Sequence, residues 1–419
     1  MKGFKKFGWF MTGVLAAIPL LILVAYGAVK ILKVSRPEEP PVNVKVSYPW
    51  GSINLDEVQI DPNSELEVTL AKSFVNEDHE VFDPDHDGIS TYNLLALSGG
   101  GSNGAFGSGL LCGWSTAGTR PCFKVVTGVS TGALQATAAF LGPKYDYMLR
   151  EIYTEYDTQN IYRRKLPLLI LARDSVNDIW PLKRLIDKYI TEEVIVAVTA
   201  EYNAGRRLFV GTTNMDTREF VIWDMGKIAA SGKDGALELY RKVLLASASI
   251  PVLFPPVYFE VEADGKKYQE MHSDGGAFAQ AFFRGFLLDF EDAAQEKGLL
   301  PLKAEVNLYI IKNSKSQMSH DRVNISPVIS SIMATTINNF VEISFTASLY
   351  RMYVLTNKYG IDFNLADIPN ESGLVMSSLK FEPKDMQQLF DYGYQLAEKG
   401  YKWEKAPPGL DPDEVNLKK

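Results

Sequence analysis

The chain is poor in the residues that hold metal ions. In 419 residues it has two cysteines, Cys112 and Cys122, and four histidines. No Cys-x-x-Cys occurs and the histidines are scattered, so neither residue type supports a zinc framework. A basic excess is also missing. Lys and Arg number 43 against 51 Asp and Glu, a net charge of −8, which argues against wholesale nucleic-acid binding. There is no internal repeat and no low-complexity tract. What remains is an ordinary globular balance, 46% hydrophobic and 22% charged, with ample material for a large core in one large or two medium domains.

Composition breaks first at the N-terminus. Lys2, Lys5 and Lys6 precede Phe7–Val29, a run of 23 residues without a charge. As a helix it reaches roughly 35 Å, enough to cross a hydrocarbon layer of about 30 Å. Trp9 and Tyr26 stand where interfacial aromatics stand, and a single Pro19 is tolerable. A retained single-pass anchor over residues 1–35 is the expectation. Cleavage as a signal peptide near Ala25-Tyr26-Gly27 is the rival. Lys30, Lys33 and Arg36 on the far side balance the first three lysines. The resemblance to an export signal then favours an extracytoplasmic domain. Pro37, Pro40, Pro41 and Pro49 cannot continue a helix, so residues 36–91 read as a proline-rich stalk and extension. Within it Asp83, Asp85, Asp87 and Gly88 mimic a calcium loop. The twelfth position is Leu94 rather than a glutamate, so a solvated turn is the better reading.

Three later segments carry chemistry. In the first, an apolar run at Leu94–Leu97 of buried-strand type leads into Gly99, Gly100, Gly101 and Gly104, then a helix-like run. A dinucleotide fold wants an acidic residue about 20 positions on, and Arg120, Pro121 and Cys122 stand there instead. The other use of such a loop is an oxyanion hole, where bare backbone N–H groups approach a developing negative charge. The second segment is "VVTGVSTGAL". Ser130 stands between Gly128 and Gly132, after a short apolar strand and before an alanine-rich helix, as a nucleophile elbow requires. In the third, Ala263-Asp264-Gly265 turns a hairpin whose second arm ends at Asp274, followed by Gly275 and Gly276.

The ordered set "SGGGSNG", "GVSTG" and "DGG" resembles the patatin-like phospholipase family. "ASASIPVLFPPV" resembles the family's stretch before the aspartate, and "VGTTNMDTREFVIWDMG" has the look of its bacterial members. The resemblance implies a patatin-like α/β hydrolase acting on lipid or phospholipid esters without a cofactor. In it Ser130 is the nucleophile, Asp274 its base, and backbone N–H groups of Gly99, Gly100 and Gly101 form the oxyanion hole. Gly104, Gly128, Gly132, Gly275 and Gly276 complete the motifs. One position departs from the pattern: Asn103 stands where the family often has a basic residue. The order Ser130, Asp274, His320 also matches an α/β-hydrolase triad. His320 lies in a polar, loop-like stretch, so a Ser–Asp dyad is preferred, with a carboxylate acting directly as base if burial raises its pKa. A catalytically silent lipid-binding protein is the alternative outside enzymology.

Apolar runs at 92–97, 123–127, 207–213 and 306–311, with helix-like segments between several of them, predict a largely parallel sheet flanked by helices. Residues 327–356 and 383–402 read as long helices that complete the domain. The expected organisation is a core at 92–290, a completing part at 291–405 and a tail at 406–419. Arg163, Arg164 and Lys165 before Leu166, Leu168, Leu169, Ile170 and Leu171 fit an interfacial segment or lid, or a buried element with a solvated basic end. Cys112 and Cys122 flank a turn-rich stretch. They could pair in an oxidising compartment or stay two separate thiols.

Overall fold

A computed structural model of the chain describes parts of residues 35–83, and residues 85–166, 173–283, 304–315, 325–374 and 377–410. The apolar run Phe7–Val29, His320 and Leu168–Leu171 fall outside them. Among the described residues no helix is long and apolar enough to cross a membrane.

Among the described residues nine strands form one sheet. In chain order they are β1 (Ser52–Asn54), β2 (Ser90–Leu97), β3 (Phe123–Val129), β4 (Arg207–Asn214), β5 (Glu219–Asp224), β6 (Val257–Ala263), β7 (Lys266–Asp274), β8 (Ala304–Lys315) and β9 (Asp362–Ile368). The main path runs β1-β5-β4-β3-β2-β8-β9. The pairs between β4 and β9 are parallel, as the apolar runs predict. Strands β1 and β5 add an antiparallel edge.

The continuous apolar runs follow from burial on both faces. All of β3 and all of β4 are buried. Alternate residues feed different cores. Leu95, Leu97, Val126 and Leu208 join one cluster, and Leu94, Ala96, Val125 and Phe209 the other. Against the first face pack α1 (Gly104–Thr116), α2 (Thr131–Leu141), α3 (Asp146–Thr154), α4 (Trp180–Tyr189), α5 (Glu192–Asn203), α6 (Ala236–Ser247) and, late in the chain, α8 (Pro383–Glu398). The opposite face is covered by α7 (Ile329–Tyr359) through Phe345, Leu349, Met352 and Tyr353.

The hairpin β6–β7 positions the functional residues. Strand β3 covers one side of β4 from Arg207 to Gly211. Beyond that point β3 has ended, and β7 takes its place on β4, with Thr212 opposite Asp274 and Asn214 opposite His272. The end of β7 therefore abuts the end of β3.

The stretch read as a stalk bonds to the core over its described residues. Arg36 pairs with Asp216 at 2.5 Å, Glu38 pairs with Lys266, and Ser47 bridges Glu262. Prolines that stop a helix leave the chain free to lie along a sheet edge. The pairing of Cys112 with Cys122 does not occur: both are free thiols. Cys112 is buried on α1 with its Sγ 3.6 Å from the Asp146 carbonyl, while Cys122 is exposed just before β3. Arg120 fills the ground near both, bonded to Asp146 and to the Ala139 carbonyl. The acidic turn at 83–88 is closed by Asp83, whose carboxylate accepts the N–H groups of Asp87 and Gly88.

Candidate active site

Ser130 is the single residue between β3 and α2. Its φ of 55° and ψ of −124° are strained for a residue with a side chain. Space explains the glycines on either side. A Cβ on Gly128 would stand 2.4 Å from the Gly132 carbonyl oxygen, and one on Gly132 would stand 2.3 Å from that of Leu97. The turn is held from outside as well. Ser130 N–H donates to Ser247 Oγ at 3.0 Å, and Ser247 Oγ donates to the Gly211 carbonyl at 2.7 Å.

Ser130 Oγ donates to Asp274 Oδ2 at 2.5 Å, across 144 positions of chain. Asp274 Oδ1 accepts from Gly276 N–H at 2.7 Å, and its own N–H donates to the Ser249 carbonyl at 2.8 Å. No cation pairs with this carboxylate among the described residues. Burial raises its pKa to about 7, and the bonds from Ser130 and Gly276 only partly oppose that shift. Glu270, four residues earlier on β7, is also raised to about 7 by burial, but its partner is Asn214.

The glycine loop lies directly above. A Cβ on Gly99 would come within 3.3 Å of Ser130 Cβ. Its N–H donates to the Gln280 carbonyl at 3.0 Å, so it is already engaged. Gly100 and Gly101 N–H have no partner among the described residues. These two positions cannot carry side chains. A Cβ on Gly100 would meet the Asn313 carbonyl oxygen at 2.4 Å, and one on Gly101 that of Ser378 at 1.8 Å. Asn313 on β8 braces the loop through Ser98 and Gln135. Gly104 opens α1, whose first turn holds no acidic residue, so its positive end faces the loop uncompensated. Asn103 is buried, and its Oδ1 has no partner among the described residues.

Histidine takes no part among the described residues. His272 is fully buried, its Nδ1 3.0 Å from Thr212 Oγ1, and burial lowers its pKa to about 3. A largely apolar pocket opens at Ser130. Met148, Ile152, Leu185, Ile186, Leu244 and Phe254 are among its walls. Sequence reasoning missed Ser247, Ser249 and Gln280. The signal was partly present, since Ser247 and Ser249 belong to "ASASIPVLFPPV".

A serine on a strained strand-to-helix turn, bonded to a buried carboxylate beside free glycine amides, is the arrangement of a serine acyl hydrolase. Residues 95–287 match the family model for patatin-like phospholipases. Residues 95–287 thus form a patatin-like phospholipase domain, which supports an ester hydrolase. No curated protein sequence matches it. Solved structures that resemble it include VipD from Legionella pneumophila, at 12% identity over 89% of this chain and 72% of that one, with a TM-score of 0.33. Another is human GIVD cytosolic phospholipase A2, at 9% identity over 86% and 68%, with a TM-score of 0.37.

Proposed function

We propose that the chain hydrolyses the carboxylic esters of lipids through a Ser130–Asp274 dyad. The observation that carries this reading is the 2.5 Å bond between Ser130 Oγ and a buried carboxylate that no cation among the described residues neutralises. Ser130 Oγ attacks the ester carbonyl carbon while its proton passes to Asp274 Oδ2. The carbonyl oxygen becomes an oxyanion, met by the N–H groups of Gly100 and Gly101. Collapse breaks the bond to the alcohol, which leaves with the proton from Asp274. Water then attacks the acyl-serine, Asp274 takes its proton and returns it to Ser130, and the fatty acid departs. The apolar pocket receives the acyl chain. The Phe7–Val29 run would tether the domain to a membrane as a single span, with the domain on the extracytoplasmic side, and protease accessibility in intact cells tests that placement.

A fluorophosphonate probe tests the chemistry. Labelling of the wild type and not of Ser130→Ala is expected. Equal labelling of both removes Ser130 from the reaction, and no labelling of either supports a silent lipid-binding protein. Comparing cellular lipids between wild type and Ser130→Ala identifies the ester cleaved.

A further inference from the structure

Three short segments have one side in the pocket and the other in solvent. Ile161 lines the pocket, and Arg163, Arg164 and Leu166 follow it outside. Leu182 and Leu185 line it, and Trp180 and Arg184 flank them outside. Ile250 and Phe254 line it, and Val252 between them points out. These segments are knit together. Arg163–Arg164 pairs antiparallel with Asn177–Asp178. Val176 and Asn177 N–H donate to the carbonyls of Val252 and Leu253, at 2.9 and 3.0 Å.

The outer surface combines two chemistries. Leu166 is 69% exposed, Val252 56% and Trp180 37%. Arg163 and Arg184 lie over the Trp180 ring, 4.7 and 5.2 Å from its centroid. Arg163, Arg164 and Arg184 are exposed, and none forms an ion pair among the described residues. The nearby acids are occupied: Asp174 pairs with Lys165, and Asp178 accepts the Trp180 N–H. In a chain of net charge −8, a patch with three arginines that have no ion-pair partner among the described residues, around exposed apolar side chains, is a local inversion of sign. Apolar groups that enter the acyl boundary, ringed by cations that meet phosphates, are what an anionic bilayer surface recognises.

We infer that the surface formed by Arg163, Arg164, Leu166, Trp180, Arg184 and Val252 docks the domain on an anionic lipid bilayer with the mouth of the Ser130 pocket at the membrane. This rests on the lipid-ester reading of the site. Docking brings the pocket close to the bilayer, because the segments that form this surface also line the pocket through Ile161, Leu182, Leu185, Ile250 and Phe254.

The full chain includes the Phe7–Val29 run, so total vesicle binding is not the readout; the local environment at the patch is. A polarity-sensitive dye is placed at Leu166→Cys in a Ser130→Ala, Cys122→Ser background, and at Val196→Cys on α5 as a control. With vesicles of phosphatidylcholine and phosphatidylglycerol, a blue shift is expected at position 166 and not at 196. It should be weaker on phosphatidylcholine alone and reversed by salt. Removing Arg163, Arg164 and Arg184 together as glutamines should raise the lipid needed for half-maximal shift about a hundredfold, at about fivefold per arginine. The same triple variant with Ser130 intact should hydrolyse a soluble short-chain ester at the parental rate. No shift at 166, an equal shift at both positions, or a shift indifferent to the three arginines overturns the proposal. A dye that no vesicle moves would leave a soluble acidic partner as the better occupant. Loss of soluble-ester hydrolysis in the wild type would count against the dyad and leave the docking result standing.

Discussion

Two carboxylates are buried at opposite ends of β3, and their surroundings differ in one respect. Glu77 meets Lys124 at 2.5 Å and accepts from the Tyr92 hydroxyl at 2.8 Å. Lys124 itself lies 4.7 Å from the Phe82 ring centroid and is pushed down to about 8 by burial. Asp274 has a hydroxyl and one backbone amide, with no cation among the described residues. A buried charge matched by a counter-charge ties an N-terminal segment to the sheet. A buried carboxyl left unmatched titrates near neutrality and can take a proton from a hydroxyl. The same residue class is structural in one place and reactive in the other because of what faces it.

The comparison breaks most sharply at the reactive end. Ser130→Ala and Asp274→Asn are each expected to lower ester hydrolysis by about 10⁴-fold or more, with little added loss in the double variant. His320→Ala should retain most activity. A folded His320→Ala protein as inactive as Ser130→Ala would replace the dyad with a triad.

Gly100→Val is next. Its side chain would collide with the Asn313 backbone and displace the amides aimed at the oxyanion, so turnover should be lost by at least about a hundredfold. Near-normal rates in a folded Gly100→Val protein would remove the loop from the mechanism.

At the structural end the effect moves to stability. Lys124→Met leaves Glu77 buried without its counter-charge and should cost about 3–5 kcal/mol in denaturant unfolding. The double variant Lys124→Met, Glu77→Leu should recover most of that loss. Activity per folded molecule should not change in either. A fall in kcat from Lys124→Met at constant folded fraction would contradict the separation of the two ends.

The smallest and most diagnostic effect is on pH. The dyad needs Asp274 ionised, so kcat/KM should rise about tenfold per pH unit below about 7 and level off above it. Stability runs the other way. The folded-state pKa lies above the unfolded value of about 3.9, so the contribution of Asp274 is full below about pH 4 and is lost as pH rises through about 7. Asp274→Asn should therefore gain in Tm relative to wild type as pH is raised from 5 to 8. A constant Tm difference across that range would show that burial does not raise this carboxyl.

Much of the fold is legible in the sequence. The runs at 92–97, 123–127, 207–213 and 306–311 are the strands β2, β3, β4 and β8. Burial on both faces demands continuous apolar sequence, and that demand is local. The second arm of the hairpin was readable from the Ala263-Asp264-Gly265 turn that precedes it. In the proline-rich stretch, proline reports only that a helix is excluded. Whether the extended chain then stands free or lies on the core depends on partners such as Asp216 and Lys266, far away in the sequence.

The sequence by itself determined the parts: a glycine loop, a serine flanked by glycines and an aspartate after a hairpin, each set by local sterics and periodicity. Only the tertiary structure decided how they meet. Strand β7 continues along β4 where β3 stops, and that register places Asp274 against Ser130 across 144 positions. Tertiary contacts also decided that Gly99 N–H is consumed by Gln280 while Gly100 and Gly101 N–H meet no partner among the described residues, and that the Ser130 amide is held by Ser247. The physical reason is common to all three. A hydrogen-bond partner distant in sequence is chosen by sheet register and packing, and no short stretch of residues encodes either alone.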